Sequence, residues 1–273
     1  MTHPRQVVLA LLLVLSVFAG WPAPVPAAQL DPAVRDAVVP AAVQIAIVVT
    51  WKENTFARDY PVPLGSGTIV SPDGLILTNQ HVVERTTQRD LVAQWQQAIA
   101  ADAPGVELVL NESKFAVLGS DGVHPPLPRY QATLVRDDRA VDLAVLRING
   151  DAAGAPIDLR QHPVPFVPIG ESSGVRLGDR VHLFAFPAIG GDALTYTEGV
   201  VSGFRYDDRA DQPNWIMTDA VMSGGSSGGT AVDAAGRLIG VPTQGSKLDC
   251  RPGDTNGDGE VTAEDVGCIP TGG

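Results

Sequence analysis

The sequence reads as an all-β protein, a barrel or a sandwich, with one inserted helix. Three observations predict this class. Short apolar, β-branched runs recur between residues 43 and 241, divided by turns rich in Gly, Pro and Asp. A single stretch breaks into helical spacing. The strand–helix alternation of a parallel sheet is absent.

The N-terminus reads as a targeting segment and not as part of the fold. Arg5 supplies a positive n-region, Val7 to Phe18 an apolar h-region, and Val25-Pro26-Ala27 a small-residue cleavage site. Residues 1–27 are therefore expected to be a signal peptide, with the mature chain starting near Ala28. The apolar stretch is shorter than the ~20 residues a spanning helix needs. Retention as an anchor is the other reading, and no later stretch is long enough to span a membrane.

The first strand is expected over Val43 to Thr50. Gly65 to Val70 follows, then a turn at Ser71-Pro72-Asp73-Gly74. Pro at its second position and Gly at its fourth suit a type I turn. Leu75 to Asn79 completes a hairpin that leads to His81. Leu91, Val92, Trp95, Ala98 and Ile99 then share one helical face. Asp90 or Thr87 would cap that helix, and Pro104-Gly105 would stop it. Its expected role is packing over a barrel edge, with substrate gating as the rival role. Further strands are expected at Phe115–Leu118, Gln131–Val135, Leu143–Ile148, Arg180–Phe186, Thr195–Gly203, Trp215–Thr218 and Leu238–Val241.

The 273 residues suffice for one large or two small cores, and a net charge of −12 narrows the partners. That excess acidity, with no basic run against it, argues against nucleic acid and anionic membranes. The two cysteines, Cys250 and Cys268, both lie near the C-terminus. In an exported chain they are expected to form a disulfide.

The chemistry sits in three segments: GSGTIVSPDGLILTNQHVV (Gly65 to Val83), VDLAVLRI (Val141 to Ile148) and TDAVMSGGSSGGT (Thr218 to Thr230). They present His81, Asp142 and Ser227 in that order. A serine nucleophile needs a base to take its proton and an acid to hold that base in one tautomer. Glycines before Ser227 free the N–H groups of Gly225 and Ser227 to form an oxyanion hole. Asp137 and Asp138 rival Asp142, but a polar turn is a solvated setting by default. The same stretch fits the G-x-S-x-G pattern of α/β-hydrolases, which needs an acid and a His after the Ser. All five histidines precede Ser227. His182 sits in an apolar strand, and His124 and His162 sit beside prolines, so these read as structural.

These segments, with LGDRVHLFAFP and EGVVSG between them, resemble the HtrA-like branch of the trypsin-like, chymotrypsin-fold serine endopeptidases, over roughly Ala42 to Thr243. The resemblance implies two six-stranded β-barrels with the site between them. His81 and Asp142 would come from the first and Ser227 from the second. It also implies a substrate pocket floored by Val221, where no acid could pair with Arg or Lys. The chain departs from the family pattern at Ser226, where Asn is usual, and at Thr230, where Pro is usual. The interval from His81 to Asp142 is longer than usual. Only 46 residues follow Ser227, so the PDZ domain most members carry is not expected.

Near the end, Asp254, Asn256 and Asp258 occupy positions 1, 3 and 5 of an EF-hand-like loop. Gly259 stands at the sharp turn. Glu260 would offer its carbonyl, Thr262 would act through water, and Asp265 replaces the usual Glu at position 12. The loop resembles a single calcium repeat of dockerin-type modules, bracketed by Cys250 and Cys268, with a structural Ca²⁺ as its ion. An exported serine endopeptidase over residues 28–247, followed by this segment over 248–273, is the expected whole. It would be secreted, periplasmic or at the cell surface, and would act on proteins or peptides. Self-association is a further expectation. Rival readings are an inactive protease-like binding protein and a module tethered to a partner through its calcium loop.

Overall fold

The computed structural model describes residues 29–187, 193–205, 215–243, 247–252 and 266–271. Apart from the first 31 residues, the chain forms one compact unit, Pro32–Gly273. It opens with a short helix, α1 (Pro32–Val38), and a single 3₁₀ turn, Val39–Ala41.

Six strands then close into a barrel in the order β1-β2-β3-β6-β5-β4, as the family resemblance implied for the first half. They are β1 (Ala42–Glu53), β2 (Phe56–Ile69), β3 (Leu75–Thr78), β4 (Val106–Gly119), β5 (Leu127–Asp138) and β6 (Leu143–Asp151). Every neighbouring pair is antiparallel. Closure removes exposed strand edges. Ile45, Ile47, Ile69, Ile76, Phe115 and Leu146 fill the interior and are almost wholly buried. The β2–β3 turn forms as expected. Gly74 N–H donates to the Ser71 carbonyl at 3.1 Å, and Gly74 takes a φ of +82° that its missing Cβ permits.

Two helices separate β3 from β4. The first, α2 (Gln80–Val83), carries His81, and α3 (Arg85–Ala100) is the inserted helix. It begins at Arg85, earlier than either expected cap. Gln88 explains the earlier start. It is buried, donates to the Val82 carbonyl (3.0 Å) and accepts from Arg85 (2.7 Å). Val92 is buried with it, while Ala98, expected on the same face, is exposed. The Gln96 amide bonds both the Val106 carbonyl (2.9 Å) and the Leu108 N–H (2.7 Å), stitching α3 onto β4. This is the packing role expected for the helix.

The second half is a five-stranded sheet ordered β11-β10-β7-β8-β9. Its strands are β7 (Arg180–Ala185), β8 (Thr195–Arg205), β9 (Trp215–Thr218), β10 (Thr230–Val232) and β11 (Leu238–Gly240). A second six-stranded barrel was expected. Among the described residues the sheet has five strands, and β11 stops two residues before Pro242, which has no N–H to continue a ladder. Val181, Leu183, Val201, Ala220, Ala231 and Ile239 form its core. A two-stranded ribbon, β12 (Lys247–Pro252) with β13 (Val266–Thr271), ends the described chain.

Candidate active site

Strand register brings the first two residues together. Thr78 of β3 pairs with Ala144 of β6, so the residues just after β3 face those just before β6. His81 lies three positions past Thr78, and Asp142 one position before Leu143. His81 Nδ1 is 3.0 Å and 2.9 Å from the two Asp142 carboxylate oxygens, and His81 N–H donates to Oδ1 at 3.0 Å. An imidazole with Nδ1–H on a carboxylate leaves Nε2 free as a base. The His81 side chain is 46% exposed, against 24% for Asp142, so the base faces the open side and the acid is the more covered.

The rival carboxylates lie elsewhere. Asp138 accepts the Ala140 N–H inside its own turn (2.9 Å), and Asp137 is reached by Gln80 at 3.4 Å. Asp142 has a φ of +50°, a left-handed conformation uncommon outside glycine but tolerated by Asp. Two neighbours hold it. The buried Asn79 donates from Nδ2 to the Asp142 carbonyl (2.8 Å), and the Thr243 hydroxyl donates to Oδ2. Sequence reasoning missed both. Asn79 carries a signal in hindsight, standing two residues before the His. Thr243 carries none, because its partner is 101 residues away.

Ser227 lies between β9 and β10, and the barrel holds its loop closely. Its carbonyl accepts the Ser66 N–H at 2.8 Å. A Cβ on Gly65 would stand 2.8 Å from Val82 and 3.0 Å from the Ser227 oxygen, so the neighbour of His81 and the serine flank one glycine. A Cβ on Gly228, with φ +83°, would collide with the Ser66 carbonyl and the Thr78 hydroxyl. The Thr68 hydroxyl meets that of Thr230 at 2.7 Å. Thr230, a departure from the family pattern, thus uses its side chain to join the two halves. Among the described residues no hydrogen bond joins His81 to Ser227.

The loop before Ser227 is a defined turn. Ser226 N–H donates to the Ser223 carbonyl at 2.9 Å, and Gly225 has φ +93° while Gly224 is not positive. Those are the marks of a type II turn, whose third position needs glycine. Ser226, the other departure, is buried, and its hydroxyl accepts the Ser223 N–H at 3.2 Å, closing the turn a second time. The Gly225 and Ser227 N–H groups have no backbone acceptor among the described residues.

The glycine-rich segment and its partners match a known family. A profile of the trypsin-like peptidase domain covers residues 65–241, more than half of the sequence. The chain belongs to the trypsin-like peptidases. Its relatives include a probable periplasmic serine endoprotease, DegP-like, of Rickettsia prowazekii, 30% identical over 186 residues. That match covers 67% of this chain and 28% of the relative. The mitochondrial serine protease HTRA2 of Bos taurus is 30% identical over 238 residues, 84% of this chain and 42% of the relative. A DegP-like endoprotease of Brucella suis is 32% identical over 188 residues, 68% of this chain and 28% of the relative. The trypsin-like chain thus spans under half the length of these relatives.

The remaining predicted positions divide into three groups. Val221, expected to floor the substrate pocket, is 74% exposed, and its carbonyl accepts from Thr197 (3.0 Å). Asp254, Asn256, Asp258, Glu260, Thr262 and Asp265 lie outside the described residues. Cys250 and Cys268 are direct cross-strand partners in the β12–β13 ribbon.

His182 lies in an apolar strand and His124 and His162 lie in loops, as the sequence suggested. His182, in β7, has a side chain only 1% exposed. Its Nδ1 lies 2.9 Å from the Tyr196 hydroxyl, which donates to Glu198 at 2.9 Å. The ring therefore donates through Nδ1–H. Burial pushes its pKa below the usual imidazole value, against the pull of Glu198. His124 is exposed and bonded to Asp121 (2.8 Å).

Proposed function

We propose that this trypsin-like chain is a serine endopeptidase that cleaves proteins or peptides through Ser227, His81 and Asp142. The observation that carries the reading is His81 held through Nδ1 by both oxygens of Asp142, with the Ser227 loop docked beside it. His81 Nε2 takes the Ser227 proton as Oγ attacks the scissile carbonyl. Asp142 keeps the proton on Nδ1 and stabilises the imidazolium that forms. The Gly225 and Ser227 N–H groups receive the oxyanion. His81 then protonates the leaving amine, and a water repeats the sequence to release the acid. The lack of a His81–Ser227 hydrogen bond fits a resting site, since such hydrogen bonds tighten when substrate binds.

The periplasmic relatives and the apolar N-terminal segment support export. Among the described residues no helix is long and apolar enough to cross a membrane. Cys250 and Cys268, paired in register, are proposed to form a disulfide; directly opposed antiparallel residues have Cα atoms ~4.5–5.5 Å apart, within the range a disulfide spans. The enclosed loop is proposed to hold Ca²⁺ through the oxygens of Asp254, Asn256, Asp258 and Asp265, the Glu260 carbonyl and a water on Thr262. Its role is structural.

The test is hydrolysis of an unfolded protein substrate by wild type and by Ser227→Ala and His81→Ala. Each substitution is expected to lower turnover by ~10⁶, because the two residues act as one unit. Hydrolysis surviving in Ser227→Ala would refute the assignment. A wild-type protein that binds the substrate without cutting it would establish the binding-protein reading instead.

A further inference from the structure

The oxyanion turn has two ways to lie. Type I and type II turns differ by a flip of the central peptide, here Gly224–Gly225, which carries the Gly225 N–H. Glycine at both central positions makes the two forms nearly equal in backbone cost. The structure holds one of them, with Gly225 at φ +93°. The turn's own bonds, Ser226 N–H to Ser223 and Ser223 N–H to the Ser226 hydroxyl, span it from end to end. They do not fix its central peptide.

A side chain of the first barrel reaches this turn. Ser66, on β2, is 1% exposed. Its hydroxyl donates to the Gly225 carbonyl at 2.8 Å and accepts the Phe186 N–H at 2.9 Å. A hydroxyl has one proton. The Phe186 N–H can only donate, so that proton goes to Gly225. The contact crosses 159 residues of sequence and joins β2 to the turn and to the end of β7. The Ser66 backbone adds two more bonds. Its N–H donates to the Ser227 carbonyl (2.8 Å), and its carbonyl accepts from the Thr78 hydroxyl (2.7 Å). Ser66 therefore grips the carbonyls on both sides of Ser226, and so fixes the residues that carry both oxyanion N–H groups.

We infer that Ser66 is a positioning residue that holds Gly225, the third residue of the turn, in its oxyanion-binding orientation. It touches no substrate and acts through the Gly225 carbonyl. Holding that carbonyl restricts the dihedral angles of Gly225 and disfavours the flipped peptide. The inference rests on the serine-peptidase reading of the same site. It also gives the first barrel a part in the hole beyond supplying His81 and Asp142.

The experiment compares wild type with Ser66→Ala on one peptide substrate, with inhibition by a peptide trifluoromethyl ketone measured alongside. That inhibitor forms a tetrahedral oxyanion on the serine, whereas KM reports largely on the ground state. In Ser66→Ala, kcat is expected to fall about 10- to 100-fold, below the loss from deleting an oxyanion donor outright. KM should stay within about two-fold, and ketone affinity should weaken by the same factor as kcat. Wild-type kcat and ketone affinity in a folded Ser66→Ala would overturn the inference. A rise in KM with kcat unchanged would overturn it too, because it would place Ser66 in substrate binding. If Ser66→Ala does not fold, Ser66→Cys, of similar size but a weaker donor, decides by the same readouts. A wild-type protein that neither cleaves the peptide nor reacts with the ketone would instead remove the peptidase reading on which the inference stands.

Discussion

At Asp142 the backbone holds a left-handed conformation for the sake of one contact. There both carboxylate oxygens reach His81 Nδ1 while Asn79 and Thr243 secure the carbonyl and the side chain. Asp142→Asn is expected to lower turnover by ~10⁴, since an amide favours the wrong imidazole tautomer. Asp138→Asn should be nearly silent in the same steady-state assay, because Asp138 serves its own turn. Much of this was legible. Asp142 stands directly before an apolar strand, and Ser227 lies in a glycine run that no linker would place between strands. The positive φ at Asp142 was not legible. It depends on Asn79 and on Thr243, which meet it only after the chain has folded. Ser66 was equally hidden, because it lies in the hairpin that leads to His81 and its partner Gly225 is 159 residues away.

At the scale of elements, strands formed at the expected runs, but β2 and β4 begin about nine residues earlier than expected, β10 was not expected, and helix α3 began early. Periodicity counted apolar residues and so overlooked Gln88, a polar side chain buried because its amide is bonded at both ends. Gln96 works in the same way, and its loss would strand a carbonyl and an N–H of β4. Gln96→Ala is expected to cost roughly 1–2 kcal/mol, lowering Tm by about 3–6 °C, with kcat unchanged. Calorimetry with a peptidase assay checks both halves. An equal loss of kcat would make the helix part of the site. Strand β7 offers a pH test. His182 is held neutral by burial, with Tyr196, Glu198, Arg180 and Asp233 around it. Its folded pKa lies below its unfolded value of ~6.5. The unfolded chain therefore binds the extra proton first, and the stability His182 contributes is present above that pH and lost as the pH falls below it. The Tm advantage of wild type over His182→Asn should shrink between about pH 7.5 and about pH 5. A constant or growing gap would contradict this.

Over the whole molecule, two halves meet along β2, where Ser66 and Thr68 bond the segment from Gly225 to Thr230. That seam explains why motifs far apart in sequence identify a single site. The second half was less legible than the first, because its sheet depends on short strands whose pairing the sequence pattern states weakly. The C-terminal ribbon is expected to act independently of this seam. Calcium is expected to bind the Asp254–Asp265 loop with Kd ~10⁻⁴ to 10⁻³ M, as in extracellular modules. Titration calorimetry should give heat for wild type and none for Asp258→Ala, and a chelator should leave peptidase activity intact. Abolished activity on chelation would tie the loop to the barrel and its site.

The proposed chemistry rests on Ser227 being a nucleophile activated by His81. A serine-directed fluorophosphonate, reacted with purified wild-type protein and mapped by mass spectrometry, tests it most directly. The expected result is one adduct on Ser227, lost in His81→Ala and strongly slowed in Asp142→Asn. Unreacted wild-type protein, or an adduct that forms equally fast without His81, would rule out Ser227 as a nucleophile that His81 activates.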